Sequence, residues 1–233
     1  ALVAAVTFTH VEFREHLGFG KLTYAKSERS TIDVSTTIRH ETDFRGFGGQ
    51  TSFQSSENLA INVYTGVANW KYAGDRWLNE AQVNGQYFQW NPTWTNGDLV
   101  GKNYFGLLRI GGKDSEQNFK QSRLSLRDDL TRSAVTFGGD HVIKMGVGVD
   151  VLGYEANKRF TENPVFNFRS DENWARPFEA YFGFGDPRVK TNNTQIGAYI
   201  QDDWSIGDKL VLNLGLRWDA ETNMINNSYV TPK

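Results

Sequence analysis

Two stretches decide the fold of this chain: DHVIKMGVGVDV at residues 140–151 and DKLVLNLGLRWD at residues 208–219. In each stretch, five large apolar residues recur at every second position, opposite a face that carries glycine and charge. Side chains alternate between the two faces of a β-strand, so both stretches are predicted to be two-faced strands. An apolar face in lipid and a polar face in water are typical of a transmembrane β-barrel. The residues predicted to face lipid are Ile143, Met145, Val147, Val149, Leu210, Leu212, Leu214 and Leu216.

The composition narrows the class of protein. The chain has 233 residues, of which 39% are apolar and 22% charged, and its mean hydropathy is −0.53. No run approaches the roughly 18 consecutive apolar residues that a membrane helix needs. This does not exclude a membrane β-barrel, because only every second residue of a barrel strand is apolar. The net charge of −2 gives no electrostatic reason to expect nucleic acid as a partner. Without cysteine, neither a disulfide framework nor a thiolate metal site is possible.

Strand-like segments recur along the chain, and their connections alternate in length. Short turns are predicted at 26–30, 73–75, 137–140 and 205–208, and long connections at 43–57, 91–120 and 155–190. Outer-membrane barrels have this asymmetry, with short periplasmic turns and long external loops. We therefore predict an all-β, antiparallel, up-and-down transmembrane barrel, present as a partial barrel of about eight or nine strands. The predicted strands cover roughly 3–14, 18–25, 31–42, 58–72, 76–90, 121–136, 141–154, 194–204 and 208–219.

Two hairpins carry a resemblance to a known family. Residues 196–204 read IGAYIQDDW, and LVLNLGLRWD follows at 210–219 after a short turn. An upstream pair, RDDLT at 127–131 and GDHVIKMGV at 139–147, has a matching pattern, and NEA at 79–81 adds a further element. These motifs resemble the barrel repeat of TonB-dependent outer-membrane receptors, including their Oar-like branch.

The resemblance implies a transport function rather than an enzyme, and no cofactor. It implies outer-membrane lipid around the barrel and ligand uptake driven by an inner-membrane TonB complex, which acts through a plug inside the barrel. Plug, TonB box and signal peptide have no counterpart in this sequence. We therefore expect residues 1–233 to be an internal fragment of one receptor barrel domain.

The long connections hold aromatic and arginine side chains that suit an unknown small ligand or glycan. Aromatic faces stack on sugar rings, and guanidinium groups pair with anionic chelates. The alternative is that the loops pack on themselves. The candidate ligand-binding residues are Trp94, Arg169, Trp174, Arg176, Phe178 and Tyr181.

Other polar residues are given structural interpretations. His10, Glu12 and His16 share a strand face by spacing, and we expect a lumen-facing polar row there rather than a metal site. The adjacent acids Asp128 and Asp129, and likewise those at 202–203, point to opposite faces of a strand, so they cannot work as a catalytic pair.

Aromatic residues near strand ends are predicted to form an interfacial girdle. They are Trp70, Tyr72, Trp204 and Trp218.

Two alternative functions remain: a soluble all-β carbohydrate-binding protein, and a passive porin or adhesin barrel. The apolar face distinguishes the soluble protein from a barrel, because a soluble sandwich buries this face against a second sheet and a barrel exposes it to lipid.

Overall fold

A computed structural model describes residues 11–223, and twelve strands account for most of them. The strands are β1 (Arg14–Ser27), β2 (Ser30–Arg45), β3 (Glu57–Ala73), β4 (Trp77–Trp94), β5 (Gly101–Tyr104), β6 (Leu108–Ile110), β7 (Glu116–Thr136), β8 (Asp140–Arg159), β9 (Val165–Phe168), β10 (Glu179–Tyr181), β11 (Arg188–Ile206) and β12 (Leu210–Glu221). Two short 3-10 turns lie at Phe53–Ser55 and Ser170–Glu172. Among residues 11–223 the structure contains no helix with the length and apolarity of a membrane span.

Eight long strands form one sheet in the order β1-β2-β3-β4-β7-β8-β11-β12, and every neighbouring pair is antiparallel. This confirms the predicted all-β, up-and-down architecture. The sheet is open, because β1 and β12 are its two edges in the described part of the chain. Of the first predicted strand, 3–14, residues 3–10 lie outside the described residues.

Short and long connections alternate, as the sequence predicts. Turns at 28–29, 74–76, 137–139 and 207–209 join strands at one end of the sheet, here called the turn end. Connections at 46–56, 95–115 and 160–187 join strands at the opposite end, here called the loop end. Antiparallel order forces this separation, since each strand reverses the direction of the one before it.

The sheet has one apolar face, here called the outer face, and one polar inner face. Directly paired residues share a face, and Val147 pairs with Ala198, which in turn pairs with Trp218. By the same pairing, all eight residues predicted to face lipid lie on this outer face. Leu216 is 73% exposed and Val147 58%. A continuous band of such residues suits contact with lipid.

The pairing register places the aliphatic residues of β3 on the inner face rather than toward lipid. The apolar set Leu59, Ile61 and Val63 lies on the inner face, because Tyr64 pairs with Ile38 of the outer face. Leu59 is only 1% exposed and pairs with the buried Pro92. The inner face therefore carries an aliphatic patch on β3 toward the loop end and is not uniformly polar.

The prediction that His16 belongs to a lumen-facing polar row is wrong. His16 pairs with His40 and lies on the same side of β1 as Leu22, which is the outer face. Glu12 precedes β1, and His10 lies outside the described residues. A strand face cannot be assigned as lumenal from polar residues alone, because polar residues also occupy the ends of the outer face.

A hydrogen-bonded polar row crosses four strands of the outer face toward the loop end. His40 Nδ1 lies 2.6 Å from Asn62 Oδ1. Asn62 Nδ2 donates to Gln89 Oε1 at 3.2 Å, and Gln89 Nε2 donates to Asn118 Oδ1 at 3.1 Å. These amides satisfy one another, which suits the boundary between lipid chains and headgroups.

The four predicted girdle aromatics all lie on the outer face by register. Trp70 Nε1 donates to Ser30 Oγ at 3.0 Å, and Trp204 Nε1 donates to the carbonyl of Gly138 at 3.2 Å. Each indole thus has an apolar body and a satisfied polar tip, as interfacial aromatics require.

Candidate functional site

Paired charges line the inner face of the sheet. Arg123 contacts Asp150 through two hydrogen bonds of 3.1 and 3.0 Å. Arg127 Nε donates to Asp129 at 2.7 Å, and the guanidinium of Arg217 lies 2.6 Å from the carboxylate of Asp219. A concavity of about 560 Å³ lies among these pairs. Each carboxylate is paired with a cation. This arrangement suits hydrogen bonding to a polar binding partner rather than proton transfer.

The acidic doublets divide between the two faces as predicted. Asp129 belongs to the inner wall, whereas Asp128 accepts a hydrogen bond from Asn79 on the outer face at 2.6 Å. At 202–203, Asp203 pairs with Lys144 on the inner face at 2.7 Å, and its neighbour lies on the outer face. Residues 11–223 hold no group of three or more candidate metal ligands.

A glycine makes room for one of these inner-wall contacts. The Tyr199 hydroxyl donates to Asp129 at 2.7 Å, and a Cβ at Gly146 would clash with both side chains. We expect Gly146→Ala to lower the free energy of unfolding by about 1–2 kcal/mol, the usual cost of overpacking.

The matched control is Gly215→Ala, the glycine at the same place in the second signature strand. A Cβ there would meet nothing closer than 3.6 Å. Urea unfolding of both variants in lipid bilayers tests the difference. Equal destabilisation by the two substitutions would contradict the proposed packing of Tyr199 over Gly146.

The three long connections are joined into one structure at the loop end. The short strands form a second sheet in the order β10-β9-β5-β6, in which β5 and β9 are parallel. The connection at 46–56 joins this sheet through a bridge between Thr51 and Arg109. We call residues 46–56, 95–115 and 160–187 the loop cap.

The loop cap has a small core of its own. Val165 and Phe168 are buried, and the Phe168 ring stacks on Tyr104 with centroids 4.7 Å apart. The buried Asn163 donates to the carbonyls of Leu99 at 2.8 Å and Lys113 at 2.9 Å. Buried amides that bridge two loops fix the loops relative to each other.

Five of the six candidate ligand-binding residues come from one segment of the cap. The Trp174 ring meets Tyr104 edge-on at 5.9 Å, and Phe178 lies 5.5 Å from Phe105. Arg169 lies over the Phe178 ring at 4.9 Å. Trp174 and Phe178 therefore pack against a neighbouring connection, as the alternative to ligand binding predicts for these loops.

The remaining candidates are more exposed or lie apart. The Tyr181 hydroxyl donates to Glu179 at 2.9 Å, and this bond raises the pKa of Tyr181 above its ordinary value. Arg176 is exposed, and the ion pairs among residues 11–223 do not include it. Trp94 ends β4, and the guanidinium carbon of Arg159 lies 5.8 Å from the centroid of its ring. Within the described residues, Trp94 makes no hydrogen bond or ring contact with the other five candidates.

Sequence reasoning missed an aromatic row on the inner face near the loop end. Trp90 packs on Phe119 with centroids 5.4 Å apart, and Phe119 lies 6.4 Å from Tyr154. The Lys158 ammonium lies 5.1 Å from the centre of the Phe119 ring. The three rings come from three different strands, so only the pairing register could have revealed the row.

Comparison with known proteins identifies the class. The family model described as the outer membrane beta barrel domain matches residues 6–230. The chain therefore belongs to this family of outer-membrane barrels. The soluble alternative is thereby overturned.

Within that class, the chain is similar to TonB-dependent transporters. It is 32% identical to the TonB-dependent transporter Oar of Myxococcus xanthus over 98 residues, which cover 36% of this chain and 9% of Oar. Among solved structures, the outer-membrane transporter YddB of Escherichia coli matches 91% of this chain with a TM-score of 0.66 at 11% identity, over 28% of its own length.

Two further solved receptors have the same fold over a similar share of their length. The alcaligin receptor FauA of Bordetella pertussis matches 89% of this chain with a TM-score of 0.59 at 12% identity, over 28% of its length. FpvA of P. aeruginosa, solved with bound pyoverdines, matches 91% with a TM-score of 0.60 at 14% identity, over 30% of its length. The chain thus spans less than a third of the receptors that it matches.

Proposed function

We propose that this chain is part of a single TonB-dependent receptor barrel that takes up a ligand across the outer membrane. The loop cap captures the ligand from outside, and the inner wall contacts the plug through which the TonB complex acts. The observation that carries the proposal is the loop cap, where three long connections hold aromatic rings and guanidinium groups above a charged lumen.

The inner wall supports the proposal through its charge. Arg123, Arg127 and Arg217 each hold a carboxylate in a fixed position around a concavity. Such paired charges remain hydrated in an open lumen and offer many hydrogen bonds to a polar plug. A freely conducting pore has no need of three long connections joined in one sheet, which favours uptake over the passive porin function.

The cap supports an anionic chelate or a sugar as the ligand. Arg169, which also pairs with Asp171, and the exposed Arg176 supply cations, and the ring of Phe178 and the phenol of Tyr181 are accessible in the same segment. Guanidinium groups bind carboxylates and phosphates in a bidentate manner, and aromatic faces stack on sugar rings. FauA and FpvA, which share the fold, are described as receptors of alcaligin and pyoverdine.

An uptake assay in the native host tests the proposal. Cells that lack the gene should fail to accumulate at least one member of a panel of radioactive ferric chelates and tritiated oligosaccharides. The wild-type gene should restore accumulation, and a protonophore should abolish it. The double variant Arg169→Ala, Arg176→Ala should accumulate the same compound about a hundredfold more slowly or worse at limiting concentration, since each of the two charged hydrogen bonds is worth about 1.5–3 kcal/mol.

Arg188→Ala is the matched control, because Arg188 pairs with Asp186 outside the proposed binding residues. This variant should transport normally. Uptake that survives the protonophore would favour a passive pore instead. Normal accumulation of every compound by the deletion strain would overturn the uptake function.

A further inference from the structure

A guanidinium lies at the turn end of the membrane-facing surface. Arg132 pairs with Trp77 and with Ile143, so it lies on the outer face at the edge of the apolar band. The Arg132 guanidinium carbon lies 4.4 Å from the centre of the Trp77 ring. This cation–π contact holds the guanidinium over the indole, and its N–H groups donate to no acceptor among residues 11–223.

Two other cations at this end have a carboxylate partner, whereas Arg132 has none among residues 11–223. Arg29 pairs with Asp75 at 2.7 Å, and the His141 ring lies 2.7 Å from the carboxylate of Asp202. The ion pairs of the described residues do not include Arg132. A guanidinium at a lipid boundary without an acceptor loses hydration that nothing in the protein replaces.

The backbone beside Arg132 is irregular. The pairing of β7 with β8 shifts between Arg132 and Val135, and Ala134 has a φ of 55°. Bulges of this kind re-aim a neighbouring side chain. Ser133 N donates to the backbone carbonyl of Arg76 at 3.0 Å, which ties this irregular segment to the residue before β4.

We propose that Arg132, held against Trp77, binds the phosphate of a phospholipid headgroup in the leaflet at the turn end. Phospholipid phosphates lie at the depth where interfacial tryptophans lie. A guanidinium fork binds two phosphate oxygens at once, and this supplies the acceptors that the protein lacks. The site is independent of the transported ligand, so uptake and lipid binding can fail separately.

Native mass spectrometry of the delipidated full-length protein tests the site, with short-chain phosphatidylglycerol as the probe. Diacylglycerol with the same chains and inorganic phosphate serve as the two comparison ligands. Arg132→Gln should weaken phosphatidylglycerol binding about tenfold, which corresponds to the loss of one charged hydrogen bond. Arg132→Lys keeps the charge but not the fork, so it should fold normally and lose part of the affinity.

Lys209→Gln is the control, because Lys209 is an exposed cation in a different turn. It should bind the lipid like the wild type. Equal binding by wild type and both Arg132 variants would overturn the site. Equal binding of diacylglycerol would show that the contact is made by the acyl chains alone. Competition by inorganic phosphate at the concentration of the lipid would show that the site binds a free anion. Either result would overturn the proposal.

Discussion

Leu214→Arg should destabilise the protein folded in a bilayer by about 2–4 kcal/mol, the measured range for arginine at the membrane midplane. Leu214 lies on the outer face and is 54% exposed, so the new guanidinium would stand in hydrocarbon. The measurement is urea-dependent folding of the full-length protein into lipid vesicles. This is one of the two largest effects that we expect from a single substitution.

Asn213→Arg is the matched control, one residue away on the same strand. Asn213 lies opposite Asp203 on the inner face, where a new cation meets water and a carboxylate. We expect a change of about 0.5 kcal/mol or less, as for other hydrated surface sites. Similar losses in both variants would show that the outer face does not meet lipid.

Phe168→Ala should destabilise the loop cap by about 3 kcal/mol, because it empties the place where a buried phenylalanine stacks on Tyr104. The effect should reach beyond the mutated loop. The amides of Gly101 and Phe105 donate to the carbonyls of Pro164 and Phe168, so amide hydrogen exchange in β5 should accelerate as well.

Phe184→Ala is the control for this experiment. Phe184 is a phenylalanine of the same loop and is fully exposed, so its removal leaves no cavity. Exchange in β5 should then match the wild type. If Phe168→Ala accelerates exchange only in its own loop, the three connections do not form a single cap.

Much of the barrel wall could be predicted because its signal lies within single strands. In β8 and β12 one face is continuously apolar, and alternation alone identifies it. In β3 the outer face holds Tyr64, Gly66 and Trp70, and the inner face holds the aliphatic residues. Alternation alone would therefore place the aliphatic residues toward lipid, which is the wrong face. Only pairing with β2 decides between the two faces, and pairing is not encoded in either strand by itself.

The candidate site was predictable in composition but not in arrangement. Clustered aromatic and arginine residues marked the segment that holds Trp174 and Phe178. Their partners Tyr104 and Phe105 could not be found, because β5 and β9 are too short to show a period. Their parallel pairing also brings together residues that lie 64 positions apart, such as Asn103 and Asn167.

The joining of the three long connections has a consequence for how such a receptor can change. A surface loop normally accepts insertions and exchanges by itself, because nothing else depends on its path. Here Asn163 holds the backbones of Leu99 and Lys113, and Ser52 N donates to the carbonyl of Arg109. A loop transplanted alone from another receptor would leave these groups without partners. Engineered or evolved variants with a new specificity should therefore exchange all three connections together, or retain the shared sheet and vary only its exposed tips.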